Sequence, residues 1–404
     1  MAIGLPAHPE MLPVAGVRLG TAAAGIKKPG QRDLVLMELA PGSTLAAVFT
    51  RNRFCAAPVH VAREHMAAAG SRYLLVNTGN ANAGTGQRGL DDARSCCAAV
   101  ARQAGVRAEE VLPFSTGVIG EPLPVQRIVD AVPDALVNLA GSGWDAAAPA
   151  ILTTDTVPKG ASRRVALSGG TVTLTGMAKG AGMIRPDMAT MLAFVATDAD
   201  IARDHLEALL APAVNRSFNR ITVDGDTSTN DACVLAATGA SGVAVPAGSG
   251  DAERFRDALD SLCRELAQAI VRDGEGATRF ITIAVHEARD EREAEAVAFT
   301  VAQSPLVKTA FFAGDPNWGR ILAAIGRAGI DDMDVDRVAI WLDDLCIARD
   351  GGRAPDYREE AAAARMAREE VTVTVELGRG EAAATVWTCD FSYEYVRINA
   401  EYRT

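Results

Sequence analysis

The chain is short of aromatic residues, 5% of 404, and shorter still of the patterns that announce a metal or a membrane. No run of about 18 apolar residues occurs, so a membrane span is not expected. The N-terminus, "MAIGLPAHPEMLPVAG", lacks a basic region followed by an apolar core, and no secretory signal is expected either. Basic charge is scarce too. A formal charge of −11 argues against nucleic acid as the main partner, because a phosphate surface needs a basic counterpart. Seven cysteines, at 55, 96, 97, 233, 263, 346 and 389, form no CxxC or comparable metal spacing and read as reduced thiols of a cytoplasmic protein. Five histidines, at 8, 60, 65, 205 and 286, include no HExxH pair, which disfavours a zinc enzyme. No GxSxG supports a histidine-activated serine.

What is present is an ordinary globular composition, 49% hydrophobic and 23% charged, in a chain too long for one minimal core. Two or more lobes are expected. "DLVLMEL", "TLAAVFT" and "RYLLVN" read as strands bounded by turn residues. "LDDARSCCAAVARQAG" has helical spacing, with acids in its first turn and a glycine after its last. In residues 252–272, Phe255, Leu259, Leu262, Leu266 and Ile270 share one face of a helix. "MLAFVATDA", "TRFITIAVH", "AEAVAFTVA", "DRVAIWL", "VTVTVEL" and "AATVWTCDFSYEYVRI" read as strands, and "EEAAAARMAREE" as a solvated helix. Mixed strands and helices in both halves, without regular βαβ alternation, give an α+β class and count against a dinucleotide-binding fold.

The stretch "MAKGAGMIRPDMATMLAF", residues 177–194, is hard to place in ordinary structure. Gly180 and Gly182 permit unusual backbone angles, Pro186 biases Arg185 away from helix, and Ala189 leaves its carbonyl unhindered. These features suit a peptide break between Ala189 and Thr190. Threonine is a weak nucleophile that needs a base, and a free α-amine on the same residue, with a pKa of roughly 7.7–8.0, can be that base. Read locally, the same residues also fit a glycine-rich turn before a buried strand, and such turns are common.

Three further segments carry polar candidates. In "FSTGVIGEPLP", Thr116 and Gly117 either offer a hydroxyl and an N–H to a developing oxyanion or form an ordinary turn, which the sequence by itself favours. In "VRDGEGATRF", Glu275 either assists proton transfer or holds an amine, or is a solvated acid at a helix C-cap. The C-terminal "YVRINAEYRT", with Asn399 and Thr404, can reach back into a cleft as a strand, although frayed termini are usual. "VNTGNANAGTG" and "FAGDPNWGR" look like phosphate loops but match neither GxxxxGK[ST] nor GxGxxG, so a structural role is expected for them.

Taken in order, "AAAGIKKPGQRDL", "VFTRNRFCAAPV", "VNTGNANAGTG", "STGVIGEPLP", "LTTDT", "MAKGAGMIRPDMATMLAFVATDA", "FNRITVDGDTSTNDA", "VRDGEGATRF", "GDPNWGRI" and "YVRINAEYRT" resemble the glutamate N-acetyltransferase family, also called ornithine acetyltransferases. The likeness runs from about residue 16 to Thr404. It implies a layered α/β sandwich of the self-processing type in two lobes. It also implies cleavage between Ala189 and Thr190, giving an α chain of residues 1–189 and a β chain of residues 190–404. Thr190 would then be the nucleophile and Thr116 with Gly117 the oxyanion hole. Thr153, Lys179, Thr190, Glu275, Asn399 and Thr404 match the substrate-contacting positions, with Thr153 or its neighbour in "TTDT" left open. The implied reaction carries acetyl from N2-acetyl-L-ornithine to L-glutamate, with acetyl-CoA open as a second donor. No cofactor or metal is implied, and an α2β2 assembly is. One departure is Gly84, where the family has cysteine; a structural position is expected there. Two rivals remain: an aminopeptidase or amidase with the same kind of nucleophile, and an uncut metabolite-binding module resting on the Gly/Asn-rich loops.

Overall fold

The computed structural model describes residues 2–185 and 191–401. Ala189, Thr190 and Thr404 lie outside the described residues.

Three sheets organise the chain. The first has the order β1-β2-β4-β5, from β1 (Val17–Ala22), β2 (Leu34–Leu39), β4 (Tyr73–Asn80) and β5 (Val111–Val118). The second has the order β3-β9-β8-β7-β6, from β3 (Thr44–Phe49), β6 (Lys159–Leu167), β7 (Gly170–Lys179), β8 (Leu192–Thr197) and β9 (Ala232–Ala237). These two pack face to face. In β2, Val35, Met37 and Leu39 meet Leu192, Phe194 and Ala196 of β8 in one core. The alternate residues of each strand point the other way, Leu34 and Leu36 to a second core and Ala193 and Val195 to a third. Both strands therefore read as unbroken apolar runs, because both of their faces are covered.

Helices supply the covers. α1 (Ala57–Ala68), α2 (Gly86–Ala104) and α3 (Val125–Val137) lie over the first sheet, with α4 (Trp144–Ala150) packed against β1, β2 and β7. α5 (Arg203–Asn215) and α6 (Gly250–Arg272) lie over the second. Phe255, Leu259, Leu262, Leu266 and Ile270 of α6 are all buried, as their spacing requires. The result is a helix–sheet–sheet–helix sandwich.

A second lobe holds the third sheet, of order β13-β12-β11-β14-β10-β15. Its strands are β10 (Phe280–Ala288), β11 (Ala339–Leu342), β12 (Leu345–Arg349), β13 (Gly352–Arg353), β14 (Glu370–Glu376) and β15 (Ala382–Cys389). α7 (Glu291–Ala302), α8 (Pro305–Ala313), α9 (Trp318–Gly326) and α10 (Glu359–Met366) share its core. In β14 only alternate residues are buried, so "VTVTVEL" keeps the period-two pattern of a half-covered sheet. The expected layered α/β sandwich in two lobes is what the chain forms.

Three local readings are corrected. "AEAVAFTVA" is helix α7, not a strand: Asp290 caps it by accepting from Glu293 N, and Ala294, Val297, Ala298 and Val301 bury one face at helical spacing. "SYEYVRI" does not continue β15, which ends at Cys389; it forms helix α11 (Tyr393–Ala400). α2 begins at Gly86, a turn earlier than its acids suggest. No single helix among the described residues is long and apolar enough to cross a membrane.

Candidate active site

The ends of the two facing sheets converge on a cavity of about 270 Å³. Thr116, Gly117, Thr153, Lys179, Glu275 and Asn399 all line it. So do Met183, Ile184 and Met191, which bracket residues 186–190 in sequence. The pocket is thus assembled from segments spread over most of the chain.

Thr116 and Gly117 sit at the end of β5, in parallel register with Thr78 and Gly79 of β4, not in the tight turn expected of them. The ladder is irregular at Asn80, and Gly117 has φ +136°, a conformation that L side chains rarely adopt. A Cβ at Gly117 would lie 2.3 Å from the backbone carbon of Gly79. The strand end is therefore free to present a hydroxyl and a backbone N–H side by side only because glycine occupies that position.

Lys179 ends β7, opposite Leu192 of β8. Its buried Nζ donates to Thr116 Oγ1 at 3.2 Å and so ties the two sheets together. A hydroxyl that accepts from an ammonium keeps its own proton to donate elsewhere. Burial pushes the Lys179 pKa down, while Asp155, Asp231 and Glu275 hold it up.

Beneath Lys179 lies a buried ion network. Lys159 Nζ pairs with Asp155 at 2.6 Å and with Asp273 at 2.7 Å. Asp155 also accepts from the backbone N–H of Thr153 and of Gly180, and Asp273 from those of Thr156 and Val157. Burial pushes the Asp155 pKa up, but the Lys159 and Lys179 ammoniums outweigh it and hold the carboxyl well below the usual range. One cluster fixes the "TTDT" turn, the start of "KGAG" and the loop that leads into Glu275. Each buried charge in it has both a partner and further hydrogen bonds, the condition under which such groups are tolerated.

Glu275 is buried, so the alternative of a solvated helix cap is excluded; the C-cap of α6 is Asp273. Its N–H donates to Ala181 O at 2.9 Å, and its carboxylate accepts from Asn399 Nδ2 at 2.7 Å. A Cβ on Gly182 would fall 2.4 Å from the Glu275 carboxyl carbon. The glycines of "KGAG" are thus explained in part by the close passage of this backbone over Glu275. Asn399 reaches the pocket from α11, a helix rather than the strand expected there.

The pocket also contains residues not singled out from sequence. Thr154 lines it beside Thr153, so the first two of the three threonines in "TTDT" face the site. Ser228, Thr229, Asn230 and Asp231, just before β9, form another wall. Asn230 Nδ2 donates to Ala81 O and Ser115 O, which holds this wall to the end of β5. Asp231 is buried, and its Oδ2 has no hydrogen-bond partner among the described residues. The dense polar run "DGDTSTND" before an apolar strand is the available signal.

The Asn-rich loops are structural. Asn80 Nδ2 donates to Glu121 O and Pro122 O, and Asn82 Nδ2 to Gly89 O. Asn317 caps α9. Gly84 has φ +69° and does not line the pocket. All seven cysteines are free, and no group of three or more His, Cys, Asp or Glu suited to a metal occurs among the described residues.

A hydroxyl beside an N–H, a buried ammonium and a buried carboxylate, gathered where two stacked sheets end, are groups that acyl-transfer chemistry can use. The ArgJ family profile matches residues 18–404, and the chain belongs to that family. The arginine biosynthesis bifunctional protein ArgJ of Methylococcus capsulatus is 61% identical over 396 residues, covering 98% of this chain and 97% of that protein. Its namesake in Pseudomonas fluorescens is 54% identical over 406 residues, covering 100% of both. Among solved structures, the Bacillus halodurans protein of the same name is 39% identical, with a TM-score of 0.49, over 50% of this chain and 96% of that one.

Proposed function

We propose that the chain is a self-processing cytoplasmic acetyltransferase that moves acetyl from N2-acetyl-L-ornithine to L-glutamate through an acetyl-threonine at Thr190. The observation that carries this reading is the single pocket that gathers Thr116, Gly117, Thr153, Lys179, Glu275 and Asn399 beside the residues flanking 186–190. Membership of the ArgJ family supports it.

Cleavage between Ala189 and Thr190 divides the protein into residues 1–189 and 190–404, and frees the Thr190 amine. That amine takes the proton of Thr190 Oγ as the oxygen attacks the acetyl carbonyl. The Thr116 hydroxyl, its lone pair engaged by Lys179, donates its proton to the oxyanion together with the Gly117 N–H. Ornithine leaves with the proton returned to its nitrogen, and the acetyl group remains as an ester. The glutamate amine then attacks that ester, so kinetics are ping-pong. Both substrates bear a free α-carboxylate, which Lys179 can hold in turn, while Glu275, oriented by Asn399, faces an amine. Thr404 completes the substrate contacts, and the two chains assemble as α2β2.

The test is covalent. Processed protein given acetylornithine without glutamate gains one acetyl mass on the peptide that begins "TMLAFVATDA". Thr190→Ala yields an uncut, folded and inactive chain. An acetyl label on another residue, or transfer by Thr190→Ala, would sink the reading.

A further inference from the structure

Asp224 does not line the acyl pocket, yet two of the segments that do are hydrogen-bonded to its carboxylate. Its Oδ2 accepts from the backbone N–H of Met183 at 2.7 Å, and its Oδ1 from that of Ile184 at 2.9 Å. Met183 needs this hold. Its φ is +55°, in the left-handed region that residues other than glycine seldom adopt. Such a conformation persists only where the surroundings fix it. The same loop fixes the backbone that follows. Ile184 O accepts from Val223 N at 2.8 Å and from Thr222 Oγ1 at 3.0 Å, and Arg185 O accepts from Thr227 Oγ1 at 2.8 Å. Residues 222–227 therefore set where Met183 and Ile184 meet the cavity they line.

The other segment is α11, which brings Asn399 to the pocket. None of its residues is buried, so apolar packing alone does not fix its position. Ser392, its N-cap, donates from Oγ to Gly276 O at 2.6 Å. Tyr395 stacks on Phe391 with ring centroids 4.6 Å apart, and its hydroxyl donates to Asp224 Oδ2 at 3.3 Å. The Tyr395 carbonyl accepts from Asn399 Nδ2 at 3.0 Å, the same nitrogen that donates to Glu275 at 2.7 Å. Glu275 N–H in turn donates to Ala181 O, two residues before Met183. These bonds close a ring beside the pocket, and Asp224 is its junction.

We propose that Asp224 and Tyr395 are a positioning pair for substrate binding. Asp224 acts directly on Met183 and Ile184, and through Tyr395 it acts on Asn399 and Glu275. This inference rests on the acyl-transfer reading above. Neither residue of the pair lines the cavity, so neither touches the reacting atoms. The groups they hold contact the substrate before and during the reaction alike. Loss of either residue therefore weakens binding of substrate and transition state equally, which raises KM and spares kcat.

Two measurements on the processed, full protein test it. In steady-state kinetics, Tyr395→Phe removes one hydroxyl and raises the KM for acetylornithine roughly tenfold, the loss of one hydrogen bond to a charged group. Its kcat stays within about twofold of wild type. Asp224→Ala raises KM further, because the bonds to Met183 and Ile184 go as well. In the double variant Tyr395→Phe adds nothing to Asp224→Ala, since its effect passes through the missing carboxylate. If Asp224→Ala fails to fold, Asp224→Asn, which keeps one acceptor oxygen, takes its place. Hydrogen exchange reads the link without activity: amides of residues 393–400 exchange faster in Tyr395→Phe than in wild type, at an unchanged thermal midpoint. A KM at the wild-type value, a fall in kcat, additive effects in the double variant, or unaltered exchange in α11 would overturn the proposal. Wild type that moves no acetyl from acetylornithine would instead refute the underlying function, and the exchange measurement would still show whether Asp224 holds α11.

Discussion

Thr116 and Asp231 face the same pocket with opposite demands. Thr116 is satisfied on one side by Lys179 and offers its proton on the other. Thr116→Ala removes that donor without emptying core volume, so the acetyl-transfer rate falls by roughly 10²–10³ while the fold survives. Unchanged turnover would remove Thr116 from the mechanism. Asp231 instead carries a buried, unpartnered oxygen. Burial pushes its carboxyl well above the usual range, against the Ser228 hydroxyl and the Lys179 ammonium. The folded chain therefore keeps a proton that the unfolded chain loses above about pH 3.9. That contribution to stability is complete below the unfolded pKa and is lost as pH rises toward the folded one, by up to about 1.4 kcal/mol per pH unit. Asp231→Asn takes up no proton, so its stability relative to wild type rises between pH 5 and pH 7. Urea unfolding at both pH values measures this, and an unchanging difference would contradict it.

At the scale of elements, the site depends on where strands stop. β5 can end in a hydroxyl and an N–H because Gly117 lets it lie against Gly79 of β4. Gly117→Ala puts a Cβ into that backbone at φ +136° and forces the two strands apart. Soluble yield and thermal midpoint should drop together, and a variant as stable as wild type would show that the strand end can relax. The same elements show which parts of the sequence speak for themselves. β8 and α6 were legible because burial on both faces, or on one helical face, leaves an unmistakable pattern. α7 was not, since "AVAFTV" has the branched and aromatic content of a strand, and the deciding signal was the Asp290 cap outside the apolar run. α11 was hidden because "YEYVRI" follows a true strand without a glycine or proline between them. Thr116, Lys179 and Glu275 were legible as motif residues. Their meeting was not, because it depends on long-range sheet packing and on Lys159, whose buried pairs with Asp155 and Asp273 join positions 114 residues apart.

For the whole molecule, the proposed cut at 189/190 does not fall between lobes. It runs through the five-stranded sheet, whose order β3-β9-β8-β7-β6 interleaves strands from both products. β7, from the first product, pairs with β8, from the second, over Leu174–Lys179 and Leu192–Thr197, and β3 pairs with β9 along its whole length. Two of the cores likewise mix residues from both sides. Neither product can complete this sheet alone, and each would expose unpaired strand edges and apolar faces. The pocket, too, draws Thr116 and Lys179 from one product and Glu275 and Asn399 from the other. Folding is therefore expected to come before cutting, since Thr116, Lys179, Met191 and Glu275 are brought to one pocket only by the finished sheet. Processed protein should elute as one species in native gel filtration and lose β7–β8 and α6 signals in a single urea transition, separating into two chains only under denaturing conditions. The two products expressed apart should be insoluble or unfolded. Native release of either chain, or a folded product expressed alone, would show that the sheet does not bind the halves as its strand order requires.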